Sequence, residues 1–109
     1  MASAPDPATP IFLEAIVKQQ AVAATYNRTE VTLAPHILYT KHGDLHVDAT
    51  TLERDGRPPR EEKLGTFKLA GLSGVRLTPR RFQASALFDP GAERYAGETV
   101  MVVEAAPSA

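Results

Sequence analysis

The chain contains no cysteine. No disulfide framework can form, and no zinc site of the thiolate type. A secreted domain this small often depends on disulfides, so their absence favours a reducing cytoplasm. No apolar run approaches the roughly 20 residues that a membrane span needs. Charge of one sign is not in excess either. Twelve Lys and Arg face thirteen Asp and Glu, for a formal net charge of −1, so the chain as a whole does not announce a nucleic-acid binder. Its start, Met1-Ala-Ser-Ala-Pro-Asp-Pro, lacks the positive and long apolar regions of a signal peptide.

Several catalytic signatures are missing as well. No glycine-rich loop follows a strand and opens a helix, which excludes the dinucleotide and P-loop readings. Ser73 and Ser85 stand in no nucleophile-elbow context. Three histidines, His36, His42 and His46, together with Asp44 or Asp48 offer nitrogen and oxygen ligands. No metalloprotease-type His spacing supports them, and solvated surface histidines are the default, so no metal is assigned. An enzyme ranks last among the functions considered, and no cofactor is implied.

What is present is a composition of 43% apolar and 23% charged residues over 109 positions, which fits one globular domain with one modest core. Nine prolines and seven glycines favour many short elements. The domain is expected to span residues 9–104, with tails at 1–8 and 105–109. Thr9-Pro10 reads as a helix start, Thr as cap and Pro in the first turn. Ile11, Phe12, Leu13, Ala15, Ile16 and Val17 form a broad apolar stripe, and Glu14 and Lys18 are spaced i,i+4. A helix from about Pro10 to Gln20 follows, sealing one side of a sheet.

Strands are expected at Ala21–Tyr26 and around Val31–Ile37, separated by an Asn27-Arg28-Thr29 turn. Pro35 cannot donate to a ladder and marks a bulge or an edge. Lys41-His42-Gly43-Asp44 is a hairpin turn. From Leu45 the alternation places Leu45, Val47 and Ala49 on one face, and His46, Asp48 and Thr50 on the other. Residues 53–62 form a charged, solvated loop containing Asp55-Gly56 and Pro58-Pro59. Strand character returns from Lys63 to Ala70. Gly71–Gly74 is expected as a bend, Val75–Thr78 as a short strand ended by Pro79, Ala84–Phe88 as a helical turn, and Thr99–Glu104 as a last strand. One helix with five or six short strands and tight turns implies a strongly bent antiparallel sheet or small barrel.

These segments resemble a WYL domain, the sensor module of many bacterial transcription regulators, over roughly Ile11 to Phe82. The resemblance rests on the helix with Ala15-Ile16, the strand ending in Tyr26, Leu33-Ala34-Pro35-His36-Ile37-Leu38, Gly43-Asp44-Leu45-His46-Val47-Asp48-Ala49 and Phe67-Lys68-Leu69-Ala70-Gly71-Leu72. It implies a mainly β fold with an N-terminal helix, an Sm-like or SH3-like antiparallel barrel. It also implies a ligand-sensing or regulatory role toward nucleic acid or a nucleotide-like anion, rather than catalysis. The family's name-giving Trp-Tyr-Leu triplet would fall on Leu45-His46-Val47. In its basic strand motif Lys68 keeps a charge, where Gly71 replaces a second Arg. Lys offers a point charge without the planar fork of Arg. No helix-turn-helix domain fits in the chain, so regulation is expected to run through a separate partner protein.

The candidate ligand-binding residues are His46, Asp48, Lys68, Arg76 and Tyr26. His46 and Asp48 share a strand face two residues apart, and Lys68 is expected opposite them on a neighbouring strand. An antiparallel sheet also leaves such a face simply wet. A second candidate is the basic stretch of Arg54, Arg57, Arg60, Lys63, Lys68, Arg76, Arg80 and Arg81, with Tyr26, Tyr39 and Phe67 as stacking faces if exposed. Its plain alternative is a solubilising loop whose charges pair among themselves. A protein-interaction barrel is the competing function. Thr99–Glu104 is apolar, β-branched and nearly uncharged, the properties of an edge that pairs with a second chain to form a homodimer.

Overall fold

A computed structural model describes residues 8–89, 92, 95 and 99–103 of the chain. The elements are a helix α1 (Ala8–Lys18), strands β1 (Gln20–Tyr26), β2 (Thr29–Lys41), β3 (Asp44–Arg54) and β4 (Leu64–Lys68), a 3-10 turn (Leu69–Gly71), then β5 (Leu72–Arg81) and β6 (Thr99–Val102). Of the expected tails at 1–8 and 105–109 only Ala8 is described, and it belongs to α1 and is buried; most of 90–98 and Glu104 also lie outside the described residues. No helix among the described residues is long and apolar enough to cross a membrane.

The helix buries Ala8, Phe12, Ala15 and Ile16, an i, i+4, i+7, i+8 stripe that 3.6 residues per turn brings to one side. Complete burial of Phe12 contributes about 2–3 kcal/mol by transfer from water. Two expectations about the helix need correction. It begins two residues earlier and ends two earlier, because Gln19 turns left-handed at φ 53° and Gln20 already belongs to β1. Thr9 does not cap it; the Thr9 hydroxyl is buried without a hydrogen bond. Val17, read as part of the apolar stripe, is exposed.

All strand pairs are antiparallel, in the order β4-β3-β2-β1-β5. Three two-residue turns have both residues at positive φ: Asn27-Arg28, His42-Gly43 and Asp55-Gly56. That backbone matches the right-handed twist of the flanking strands. β6 lies off the main path and pairs with Ile37, Leu38 and Tyr39 of β2 in its own chain. β2 therefore changes neighbour along its length, from β1 near Leu33 to β6 at Ile37. Pro35 sits at that change, where a missing N–H costs least, and the ladder with β3 shifts between Pro35 and Ile37. The expected bulge is thus present, and His36 is its extra residue.

The expected bend and fifth strand need correction too. The break is the 3-10 turn at Leu69–Gly71, and β5 runs on from Leu72 to Arg81. Gly74, at φ 59°, is a bulge inside β5, between the pairs Ala23–Arg76 and Thr25–Ser73. Pro79 is tolerated in β5 because that strand pairs on one side only. The main core comprises the helix stripe with Val22, Leu33, Leu38, Val47, Leu69 and their neighbours; a smaller cluster holds Ile37, Tyr39 and Tyr95, with Phe88 against it.

Candidate functional site

The register sets His46 directly opposite Lys68, and Asp48 opposite Thr66, across the β3–β4 ladder. Directly opposed residues share a face, so three of the five candidate residues lie together. They do not share an environment. His46 is half-buried, its Nδ1 is 3.0 Å from the Asp44 carbonyl oxygen, and its ring stacks on Tyr39. Lys68 is exposed and pairs with Asp44 at 3.2 Å. Asp48 is completely buried.

The face expected to be wet at Asp48 is instead covered by the chain's C-terminal part. Tyr39 donates to the Asp48 carboxylate at 2.8 Å and Thr66 at 2.7 Å, and the Tyr95 hydroxyl donates to its other oxygen. A buried carboxylate is tolerable only with such donors. Here it ties β2, β3 and β4 to residue 95, so Asp48 belongs to the interior and not to an open ligand face. Tyr39 joins the two environments, with its hydroxyl on Asp48 and its ring on His46.

A second buried polar centre was not foreseen. His36, fully buried, has Nδ1 2.7 Å from the Ala34 carbonyl oxygen, and its Nε2 accepts the Ser85 N–H at 2.8 Å. That pair of bonds requires the neutral ring protonated on Nδ1. Phe82 and Phe88 flank the ring at 5.3 Å each. The His36 carbonyl, set free by the bulge, accepts the Val103 N–H at 2.7 Å. Burial holds the His36 pKa below its ordinary value, opposed by the bond to Ala34 and by the charges of Glu62 and Asp48.

Arg76 and Tyr26 lie elsewhere. Arg76, on β5, binds Glu30 at 3.0 Å. The hydrogen bond from Arg76 is the main reason the Glu30 pKa falls below the usual carboxylate value, helped by Thr25 and by the Arg76 charge. Tyr26 meets Phe67 edge-on at 5.2 Å. Both rings are half-buried and Tyr39 is buried, so none is a free stacking platform.

The basic loop is the remaining candidate. Arg54 and Arg57 form a β-bridge around the Asp55-Gly56 turn, with backbone bonds of 2.8 and 3.0 Å in both directions. Beside it lies a cleft of about 430 Å³ lined by Thr51, both arginines, Pro58, Pro59, Arg60, Glu61 and Lys63. The expected internal pairing holds only for Lys63, which reaches Glu61 at 3.6 Å. Glu62 accepts the Ser85 hydroxyl, and Glu53 is held by Arg80 at 2.6 Å. Arg54, Arg57 and Arg60 form no ion pair with any described residue. Ser85 and Arg80 were missed as organisers of this loop because they act across 23 and 27 residues, where no sequence periodicity reaches. Among the described residues no group of three or more His, Cys, Asp or Glu is placed to hold a metal ion.

The chain matches no protein-family model, no curated protein and no solved structure.

Proposed function

We propose that this chain is a WYL-like regulatory binding module, a small Sm-like barrel that takes a nucleic acid or a nucleotide-like anion and acts through a partner protein. The barrel is supported by contacts across the open side of the sheet. In a flat sheet, β4 and β5 would stand four strand spacings apart, about 19 Å. Yet three residues of 3-10 turn join them, Tyr26 of β1 meets Phe67 of β4, and Arg80 of β5 reaches Glu53 of β3. The strand path therefore curls, and a barrel is its natural end state.

The ligand class rests on one observation: Arg54, Arg57 and Arg60, none of them in an ion pair with a described residue, line one cleft. Guanidinium is the side chain best matched to phosphate, through paired N–H donors. Lys68 and His46 lie further along the same β3–β4 ladder, four residues from Leu64, or about 13 Å, and would extend the contact. The test is a fluorescence-anisotropy titration with short single-stranded DNA and RNA at low and moderate salt, joined by calorimetry with a nucleoside diphosphate. Binding is expected to weaken with salt, because phosphate contacts release counterions, and to weaken in Arg57→Ala and Lys68→Ala proteins that melt as the parent does. If neither oligonucleotides nor the diphosphate bind at low salt, the proposal is refuted.

A further inference from the structure

Arg54 and Arg57 face each other across a bridge bonded in both directions. Residues so paired project from the same face, with backbones about 5.5 Å apart. Like charges in that relation repel and destabilise the turn. The sequence supplies carboxylates nearby that would relieve the repulsion, but the fold engages three of them elsewhere. Glu53 goes to Arg80, Glu61 to Lys63 and Glu62 to Ser85. Asp55, between the two arginines, is in no ion pair with a described residue. Arg60 joins them at the same cleft. Four cationic side chains thus stand against Glu61 in the cleft lining, and an anion of high charge density would balance the excess.

The lining also limits what else is recognised. It contains no aromatic side chain, so a base finds no stacking surface of the kind single-strand binders use. Two arginines on one face, with backbones about 5.5 Å apart, can turn their forks onto phosphoryl groups joined by one bridging oxygen. The phosphates of a single strand are spread further apart by the intervening sugars.

We propose that the cleft at Arg54, Arg57 and Arg60 binds a condensed phosphate group, a pyrophosphate or the diphosphate end of a nucleotide, and leaves the base unread. This rests on the anion-binding role proposed above and names the ligand chemistry of that site.

The experiment is isothermal titration of the full chain with pyrophosphate, ADP, GDP, AMP and a thymidine decamer at one salt concentration. Pyrophosphate, ADP and GDP are expected to bind alike, with AMP and the decamer weaker. Arg57→Ala is expected to lose about tenfold or more in pyrophosphate affinity, with a melting temperature unchanged or raised because a repulsion is removed. Arg57→Lys is expected to fall in between, since it keeps the charge without the fork. Lys41→Ala, at the opposite end of the β2–β3 ladder from Arg54, is expected to bind pyrophosphate as the parent does. If ADP binds and pyrophosphate does not, the cleft supplies contacts from outside the diphosphate; if the two differ widely, or ADP and GDP do, the base is read. Full affinity in Arg57→Ala places the site elsewhere. Each of these results overturns the inference. Decamer binding that pyrophosphate fails to displace overturns it while leaving the broader anion-binding role intact; silence from every probe ends both.

Discussion

His36 gives the chain an acid-sensitive fastening. The neutral ring accepts the Ser85 N–H on Nε2 while Nδ1 serves Ala34. A proton on Nε2 turns that acceptor into a donor facing another donor, inside a pocket closed by Phe82 and Phe88. Burial lowers the folded-state pKa below the ordinary 6.5, so the unfolded chain binds the proton first. Stability from this group is complete above pH 6.5 and is lost as pH falls from there through the folded pKa. Within that window the loss is at most about 1.4 kcal/mol per pH unit, the value of one proton. Glu30, also depressed, contributes in the same direction but only below its ordinary 4.5, so the two effects separate on the pH axis. The assay is urea denaturation at several pH values between 7.5 and 5, for the parent and for His36→Gln. The parent is expected to show the steeper fall. Hydrogen exchange at the Ser85 amide reports whether the 82–88 segment lets go before the rest of the domain does. A parent slope equal to that of His36→Gln, with Ser85 protection unchanged at pH 5, refutes the mechanism.

Two further outcomes test the interior and the edge. Asp48→Ala leaves the Tyr39, Thr66 and Tyr95 hydroxyls without their acceptor and is expected to cost about 3 kcal/mol or more by chemical denaturation, whereas Asp48→Asn keeps one oxygen and is expected to cost about 1–2 kcal/mol; equal costs would show that the charge, not the acceptor count, matters. Sedimentation at high concentration checks the homodimer through the C-terminal strand: β6 has one edge covered by β2 of its own chain, so a dimer would use the other edge and is expected to dissociate on Val102→Lys, while a parent that stays monomeric at high concentration removes that reading.

The helix, the two hairpin turns and the bulge at Pro35 were legible because each depends on residues next to one another. Phe12, Ala15 and Ile16 carry a helical period, Asn27-Arg28 and His42-Gly43 supply a turn's backbone, and Pro35 lacks a donor. The face of β3 was only half legible. Alternation correctly put His46, Asp48 and Thr50 on one side, but it could not say that the side is covered, because Tyr95 comes from 47 residues away. Gly74 reads as part of a bend in the sequence because a glycine serves a turn and a bulge equally well.

The same distance limit explains why the basic loop gave an ambiguous signal. By composition, Arg54–Lys63 nearly balances itself, and neighbouring opposite charges ordinarily pair. The fold breaks that balance by sending Glu53 and Glu62 to residues of β5 and of the segment after it. Six lysines and arginines among the described residues are left without an ion pair. Arg28, Lys41 and Arg81 stand singly, at the β1–β2 turn and at the ends of β2 and β5. Arg54, Arg57 and Arg60 stand together around a cleft. Scattered single charges serve solubility. Like charges held together at the turn oppose its stability, and on the proposed reading a bound anion would offset that cost. Arg80→Ala therefore separates the two accounts: freeing Glu53 beside Arg54 is expected to weaken anion binding at the cleft, although Arg80 itself does not line it.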